Sequence, residues 1–338
     1  MDPTDRTADA PAPAPASLML ASCNLLNLAR PGRSFYDNQP AYGADEYARK
    51  IEWLGAQIRR LNADVIGFQE VWDDAALRDA VAASGLRYGH VAAPGAEQGA
   101  IGTPRLGLAS RWPVRELISH ADFGAAQVVA IPELGDQRAF ERPILEALIE
   151  LPGERGTMRV LVAHLKSKRP KFLQDAAGQP TEDCNDAAIQ ARATLRSLGI
   201  RAAEAAALRV LVHSRLARTR EPLVLMGDLN DGPHAVTTQL IAATQAIAYD
   251  RGARDTALFH ALDVQSDPTL RRDLAYSHIH QGWPEVLDQI WVSEEFVAAS
   301  RFALGSVRRV EYFNDHLQEG RDRVRSDHGF VRALVTLR

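Results

Sequence analysis

Gly227-Asp228-Leu229-Asn230-Asp231 follows directly on an apolar run, residues 222–226, and Ser326-Asp327-His328 stands directly before another, residues 330–334. A carboxylate and an amide at the mouth of one strand, with a carboxylate and an imidazole at the mouth of a second, are the parts needed to break a phosphodiester with a divalent metal. Hard cations such as Mg²⁺ take oxygen ligands and keep several waters, so one or two carboxylates and the substrate phosphate suffice. Glu70, closing residues 64–70, is the leading ligand candidate, and Asp228, Asn230 and Asp327 supply further oxygens.

The attacking water must lose a proton near neutral pH, a task that suits an imidazole. His328 is the candidate base. Asp288 lies inside the otherwise apolar stretch 286–292, where a lone carboxylate is costly. Pairing with His328 would remove that cost and fix the imidazole tautomer. The phosphate also needs donors on its non-bridging oxygens. His164, Asn24 and Arg142 are candidates, and the basic cluster Lys166, Lys168, Arg169 and Lys171 begins just after His164. Each feature alone has a plainer use: Gly-Asp-Leu-Asn-Asp makes turns, a strand-end Glu can face solvent, Asp288 could meet a structural Arg, and a charge run is ordinarily a solvated face. Their occurrence together, each at the end of an apolar run, points to chemistry.

The elements that must position them are short. Residues 18–23, 64–68, 105–110, 144–151, 158–163, 223–226, 286–292 and 330–337 have the length and composition of buried strands. Residues 45–62 read as a helix, with Tyr47, Ile51, Leu54, Ile58 and Leu61 on one face, acids at its start and Arg59 and Arg60 at its end. Residues 186–217, dense in Ala, Leu and Arg, read as a second helical region with a break at Gly199, and residues 166–185 as a long loop. Many strands and few helices fit two packed β-sheets with helices outside. Polar strand ends would then gather at one rim.

Composition sets the outer bounds. The chain has 338 residues, 46% hydrophobic and 24% charged, which is ordinary for a globular protein with a substantial core. Its net charge of −4 provides no global attraction for a polyanion, so a nucleic acid would have to be met by a local basic patch. Cys23 and Cys184 are the only cysteines, so no disulfide framework is expected. Residues 1–17, rich in Ala, Pro and Asp, read as a disordered tail without the features of a signal peptide. No window has the apolar length of a membrane span. A single domain over residues 18–338, in the cytoplasm, is the expectation.

In order, Asn24, Gln69-Glu70, His164, Gly227-Asp228-Leu229-Asn230, Asp288 and Ser326-Asp327-His328 resemble the endonuclease/exonuclease/phosphatase superfamily across essentially the whole chain beyond the tail. Residues 107–114 look like that family's central strand, and Arg142-Pro143 like its phosphate-facing Arg strand. The resemblance implies a four-layer α/β sandwich, DNase-I-like, with Mg²⁺ or Mn²⁺ at its rim. It implies Glu70 as metal ligand with Asn24 and Asp327 nearby, Asp228 and Asn230 orienting water and phosphate, His328 with Asp288 as the base pair, and His164 donating to the phosphate. Tyr276-Ser277 through Gly282, followed by Leu287-Asp288, and His164-Leu165-Lys166-Ser167-Lys168 are similar to patterns of bacterial nuclease-like members.

DNA is therefore the expected substrate, with Asn24, Arg142 and Lys166 facing it. Inositol phosphates or phospholipid headgroups are the alternative, weakened by the lack of an amphipathic membrane-binding segment. A binding protein with a dead site is a third reading, disfavoured because Glu70, Asp228, Asp288, Asp327 and His328 are all present. Trp72 and Trp283 lie near proposed site strands, where each could stack a base or simply pack.

Overall fold

Strands with apolar residues on both faces need cover on both faces, and the chain provides it in layers. In the computed structural model, which describes residues 16–36, 39–267, 274–320 and 322–338, two six-stranded sheets pack face to face. The first contains β1 (Ala16–Leu28), β2 (Val65–Val71), β3 (His90–Ala92), β4 (Arg105–Ser110), β15 (Gly305–Phe313) and β16 (Phe330–Leu337), in the order β15-β16-β1-β2-β4-β3. The second contains β5 (Val114–Asp122), β8 (Ala139–Glu150), β9 (Thr157–His164), β10 (Leu223–Asp228), β11 (Phe259–His260) and β14 (Asp288–Val292), in the order β11-β14-β10-β9-β8-β5. Two hairpins stand apart, β6 (Val129–Ile131) with β7 (Gly135–Gln137), and β12 (His278–His280) with β13 (Trp283–Glu285). Helices α1 (Ala44–Leu61) and α2 (Asp74–Ala83) pack on the first sheet, and α3 (Ala187–Leu216) with α4 (Val236–Ala242) on the second; α5 (Ala261–Val264) is a single turn.

Alternation along the strands sets which residue faces which layer. In β1, Leu18 and Leu20 enter the core between the sheets, while Ala21, Cys23 and Leu25 face α1 and α2. In β10, Val224 and Met226 point to the same central core, while Leu223 and Leu225 meet Leu208, Val212 and Leu216 of α3. Three apolar layers between four structural layers make the sandwich that the resemblance implied.

The sheets are mixed. The pairs β1/β2 and β9/β10 run parallel, and their neighbours β16 and β14 run antiparallel to them. Asn24 and Gln69 close the regular part of one parallel pair, and His164 and Asp228 close the other.

The structure corrects the sequence reading in several places. Ala16 and Ser17 already belong to β1, paired with Leu337 and Thr336, so the expected tail is too long by those two residues; residues 1–15 lie outside the described residues. The first strand also continues past Asn24 to Leu28 through an irregularity. α3 runs unbroken through Gly199, where a Cβ would come within 3.2 Å of Ile131 Cδ1. That glycine makes room for the β6/β7 hairpin.

Gly227 has φ +147°, and a Cβ there would sit 1.9 Å from the Ala163 carbonyl oxygen on the parallel neighbour. Replacing it by Ala should lower stability by about 3 kcal/mol or more, because both backbone strain and the packed strand must yield. Urea denaturation of Gly227→Ala beside the parent protein measures this, and equal midpoints would contradict it.

Candidate active site

Both sheets deliver their strand ends to one rim. Asp228 sits in register with His164 on β9 and with Asp288 on β14, and cross-strand partners project from the same face. From the first sheet come Asn24 and Glu70, and from the turn before β16 come Asp327 and His328. The Asn24 amide bridges the two sheets: its Nδ2 lies 3.2 Å from Asp228 Oδ2 and 3.4 Å from Glu70 Oε1.

His328 and Asp288, anticipated as partners, are in contact. His328 Nδ1 lies 2.7 Å from Asp288 Oδ2, with both residues buried. With Nδ1–H donated to Asp288, Nε2 is left as a proton acceptor. That Nε2 is 3.9 Å from Asp228 Oδ2, and His164 Nε2 is 3.4 Å from the same oxygen. Asp228 thus stands between two imidazoles.

Backbone held in unusual conformations shapes the loops. Glu70 (φ 63°), Asn230 (φ 54°), Leu26 (φ 50°) and Asn27 (φ 53°) are all left-handed, an arrangement that surrounding contacts must enforce. Asn27 N–H donates to Glu70 Oε2 at 2.9 Å, and Asn27 Oδ1 accepts from the Trp72 indole at 2.9 Å. Trp72 is thereby a buried support, not a stacking surface. Asn230 N–H donates to Asp228 Oδ1 at 2.9 Å, and Asn230 Nδ2 to the Leu165 carbonyl at 2.9 Å, so the amide's role at this site is first of all to lock the loop to β9.

Supports absent from the sequence reading surround the pair. Ser277 Oγ accepts from Leu287 N–H at 3.0 Å and Asp288 N–H at 2.8 Å, while its carbonyl accepts from Gly329 N–H at 2.6 Å. Ser326 Oγ donates to the Asn24 carbonyl at 2.7 Å and accepts from His328 N–H at 3.0 Å. Both serines stood in the motifs as spacing alone; Ser277 ties Asp288 to the Gly329 main chain through its hydroxyl and carbonyl, and the Ser326 hydroxyl ties His328 to the first strand. Tyr312 OH donates to the Asp288 carbonyl at 3.2 Å.

The donor side is mixed. Arg142 and His164 are buried, and Arg142 Nε and His164 Nδ1 have no hydrogen-bond partner among the described residues. The unsatisfied buried Arg142 N–H suits an anion. Lys166 is also buried, whereas Lys168 and Arg169 are exposed and Lys168 pairs with Glu285 of β13, so part of the expected basic patch is neutralised.

The sequence matches the Endonuclease/Exonuclease/phosphatase family over residues 46–328. The chain belongs to that family. As a family member it is a metal-dependent phosphoric ester hydrolase. Solved structures share the architecture at low identity. An endonuclease/exonuclease/phosphatase family protein from Bacteroides thetaiotaomicron is 15% identical, with 96% of each chain covered and a TM-score of 0.57. A mannosyl-6-phosphatase from the same organism is 14% identical, covering 94% of this chain and 99% of its own, with a TM-score of 0.56. Sphingomyelinase C from Streptomyces griseocarneus is 16% identical, with coverages of 94% and 99% and a TM-score of 0.53. No curated protein matches the sequence.

The donor set of this endonuclease/exonuclease/phosphatase family member fits a divalent cation. Burial raises the Glu70 carboxyl above its ordinary value and Asp327 pushes it further, the mark of carboxylates crowded together. A cation between them would relieve that repulsion. Among the described residues, Asp228, Asp288 and His328 also bring ligand atoms within 4.8 Å of one another, close enough to hold a metal. Burial lifts Asp228 to about 7, and the charge of His328 draws it back only in part. Burial would depress His328, but Asp288 and Asp228 outweigh it and hold the imidazole well above its ordinary value. Burial keeps His164, with Arg142 beside it, well below its ordinary value and therefore neutral.

Ser277→Ala leaves the N–H groups of Leu287 and Asp288 without their acceptor in a buried place. We expect a loss of about 1–3 kcal/mol in urea denaturation together with reduced kcat, since the Asp288 main chain is no longer fixed. Unchanged stability and unchanged kcat would show that Ser277 supports nothing.

Proposed function

We propose that the protein is a divalent-metal-dependent phosphodiesterase that hydrolyses nucleic acid, DNA foremost, by in-line attack of a water activated by His328. The observation that carries this reading is the 2.7 Å His328–Asp288 pair set beside Asp228, with Asn24 linking Asp228 to Glu70. Glu70, with Asp327 and Asn24, would hold Mg²⁺ or Mn²⁺. The Asp228, Asp288 and His328 group serves proton transfer instead, because His328 Nδ1 and Asp288 Oδ2 are already spent on each other. The cation supplies charge neutralisation at the phosphate.

The side chains perform the remaining work. A water against Asp228 Oδ2 and His328 Nε2 is oriented by the first and gives its proton to the second as its oxygen attacks phosphorus; the P–O bond opposite breaks, and the departing alkoxide takes a proton from solvent. Asp288 holds the resulting imidazolium. Neutral His164, Arg142, Asn230 and Lys166 face the phosphate oxygens, whose charge grows in the transition state. Asn24 keeps the two halves in register.

DNA is favoured by the cations that continue from the rim, Lys166, Arg169 and Lys171. A second reading, a phospholipid headgroup, is supported by Trp283 on the β12/β13 hairpin. That indole is 77% exposed, while the ring of His278 on the same hairpin lies tilted 4.9 Å from that of His328. An exposed indole beside the site suits an apolar face as well as a base. No helix among the described residues is long and apolar enough to cross a membrane.

Purified protein with plasmid, oligonucleotides, RNA, inositol phosphates and sphingomyelin vesicles, in Mg²⁺ or Mn²⁺ and then in excess chelator, tests the reading. Metal-dependent DNA cleavage is expected; release of phosphocholine without DNA cleavage would replace it with the headgroup reading. His328→Ala should cost ~10²- to 10⁴-fold in kcat. Only neutral His328 accepts a proton, so kcat/KM should climb with pH above the ordinary imidazole range. Asp288→Asn should move that climb to lower pH and slow turnover, and a pH–rate profile identical to the parent's would remove the pair from the mechanism.

A further inference from the structure

One turn of α3 reaches the proposed phosphate site from behind. Arg201 and Glu204 lie on the same face of that helix, 5% and 0% exposed respectively. Glu204 Oε1 accepts from Glu141 N–H at 2.9 Å, and Oε2 accepts from Lys166 N–H at 2.7 Å. Arg201 Nη1 donates to the Lys166 carbonyl at 3.2 Å, and its Nε to Asp231 Oδ2 at 3.2 Å. Both main-chain polar groups of Lys166 are therefore gripped by one helical turn. Glu141 precedes Arg142 on β8, and Leu165 precedes Lys166 after β9; the Leu165 carbonyl also receives Arg142 Nη1 at 3.4 Å.

A buried carboxylate without an ion pair is expensive, and among the described residues Glu204 has none: both of its contacts are to main-chain N–H. An apolar side chain would spare that cost but leave the Glu141 and Lys166 N–H groups without acceptors, so the carboxylate is kept where it fixes those two main-chain groups. We infer that Glu204 and Arg201 are positioning residues for phosphate capture, holding the ends of β8 and β9 so that Arg142 and Lys166 meet one phosphate together. This rests on the assignment of Arg142 and Lys166 as phosphate-facing groups.

The clamp has a protonation sense. Burial raises Glu204 to about 7; its two N–H donors and Arg142 oppose that rise and Glu141 adds to it. The charged groups around it are Glu141 and Arg142 from β8, Lys166 after β9, Arg201 on its own helix, and Asp231 held by Arg201. Protonating Glu204 places a hydroxyl against one N–H and loosens the clamp, so substrate capture weakens as pH falls. Lys166, which burial lowers, acts in the opposite sense by losing charge as pH rises. Asp228, which burial also lifts to about 7, titrates in the same range, so the share of the low-pH weakening that belongs to Glu204 is the share that Glu204→Gln abolishes.

The test is KM and kcat for bis(4-nitrophenyl) phosphate, a diester of constant charge, from pH 6 to 8.5 in saturating Mg²⁺. Parent protein, Glu204→Gln and Arg142→Ala are compared. We expect the parent KM to rise severalfold from pH 8 to 6. Glu204→Gln, a mimic of the protonated acid, should show KM raised about tenfold at pH 8 and varying less with pH than the parent's over that span, the larger part of its effect lying in KM and not kcat. Arg142→Ala should raise KM at every pH. If Arg142→Ala raises KM while Glu204→Gln follows the parent, the positioning role is overturned and the phosphate-facing assignment stands. If Arg142→Ala leaves KM unchanged, that assignment fails and the clamp falls with it. Should Glu204→Gln lack a cooperative melting transition, Glu204→Asp, which keeps the charge and shortens the reach, takes its place with the same expected rise. A parent KM level from pH 8 to 6 overturns the clamp without any variant.

Discussion

Carboxylates crowded into a buried rim are the constraint around which this molecule is arranged. Asp228 and Asp288 sit side by side on adjacent strands, and Glu70 and Asp327 approach from the other sheet. Such a cluster is tolerated only where each negative charge finds a proton, a cation or a donor. His328 answers Asp288, His164 and His328 flank Asp228, and the Asn24 amide and Asn27 N–H answer Glu70. The family's dependence on a divalent ion is the last part of the same balance. Removing any single partner leaves an uncompensated charge in a place of low dielectric, so the polar rim is more sensitive to substitution than the cores on either side of it.

Much of this was legible in the sequence because strand-end chemistry is local. An apolar run closed by Gly-Asp-Leu-Asn or by Ser-Asp-His states both the strand and the group it presents, and β4 and β16 matched the runs seen in the sequence. The α1 periodicity and its charged ends were equally plain. What stayed hidden is long-range or polar. β15 carries Arg308, Arg309 and Glu311 within its strand, which dilutes the apolar signal, and the short α2 announces itself only through its Asp73 cap. The conformations of Glu70 and Asn27 come from tertiary contacts, not from residue type.

Glu204 and Arg201 show the same limit most clearly. Within an Ala-rich helix they read as solvent-facing charges, yet both are buried against main chain contributed by distant segments. Gly199 misled in the other direction, since a glycine tolerated inside a helix for close packing looks identical in sequence to one that ends it. The fold relatives differ in what their names say they cleave.

The first strand of the sheet that carries Asn24 and Glu70 is flanked by β16, which the ribosome makes last among the described strands; Ser326, just ahead of β16, reaches back to the Asn24 carbonyl across 302 positions of sequence. A nascent polypeptide thus holds every acidic group of the second sheet before it possesses an imidazole to match Asp288. β16 closes the first sheet between β15 and β1, so the proposed proton acceptor joins Asp288 only once the last of the described strands has been made.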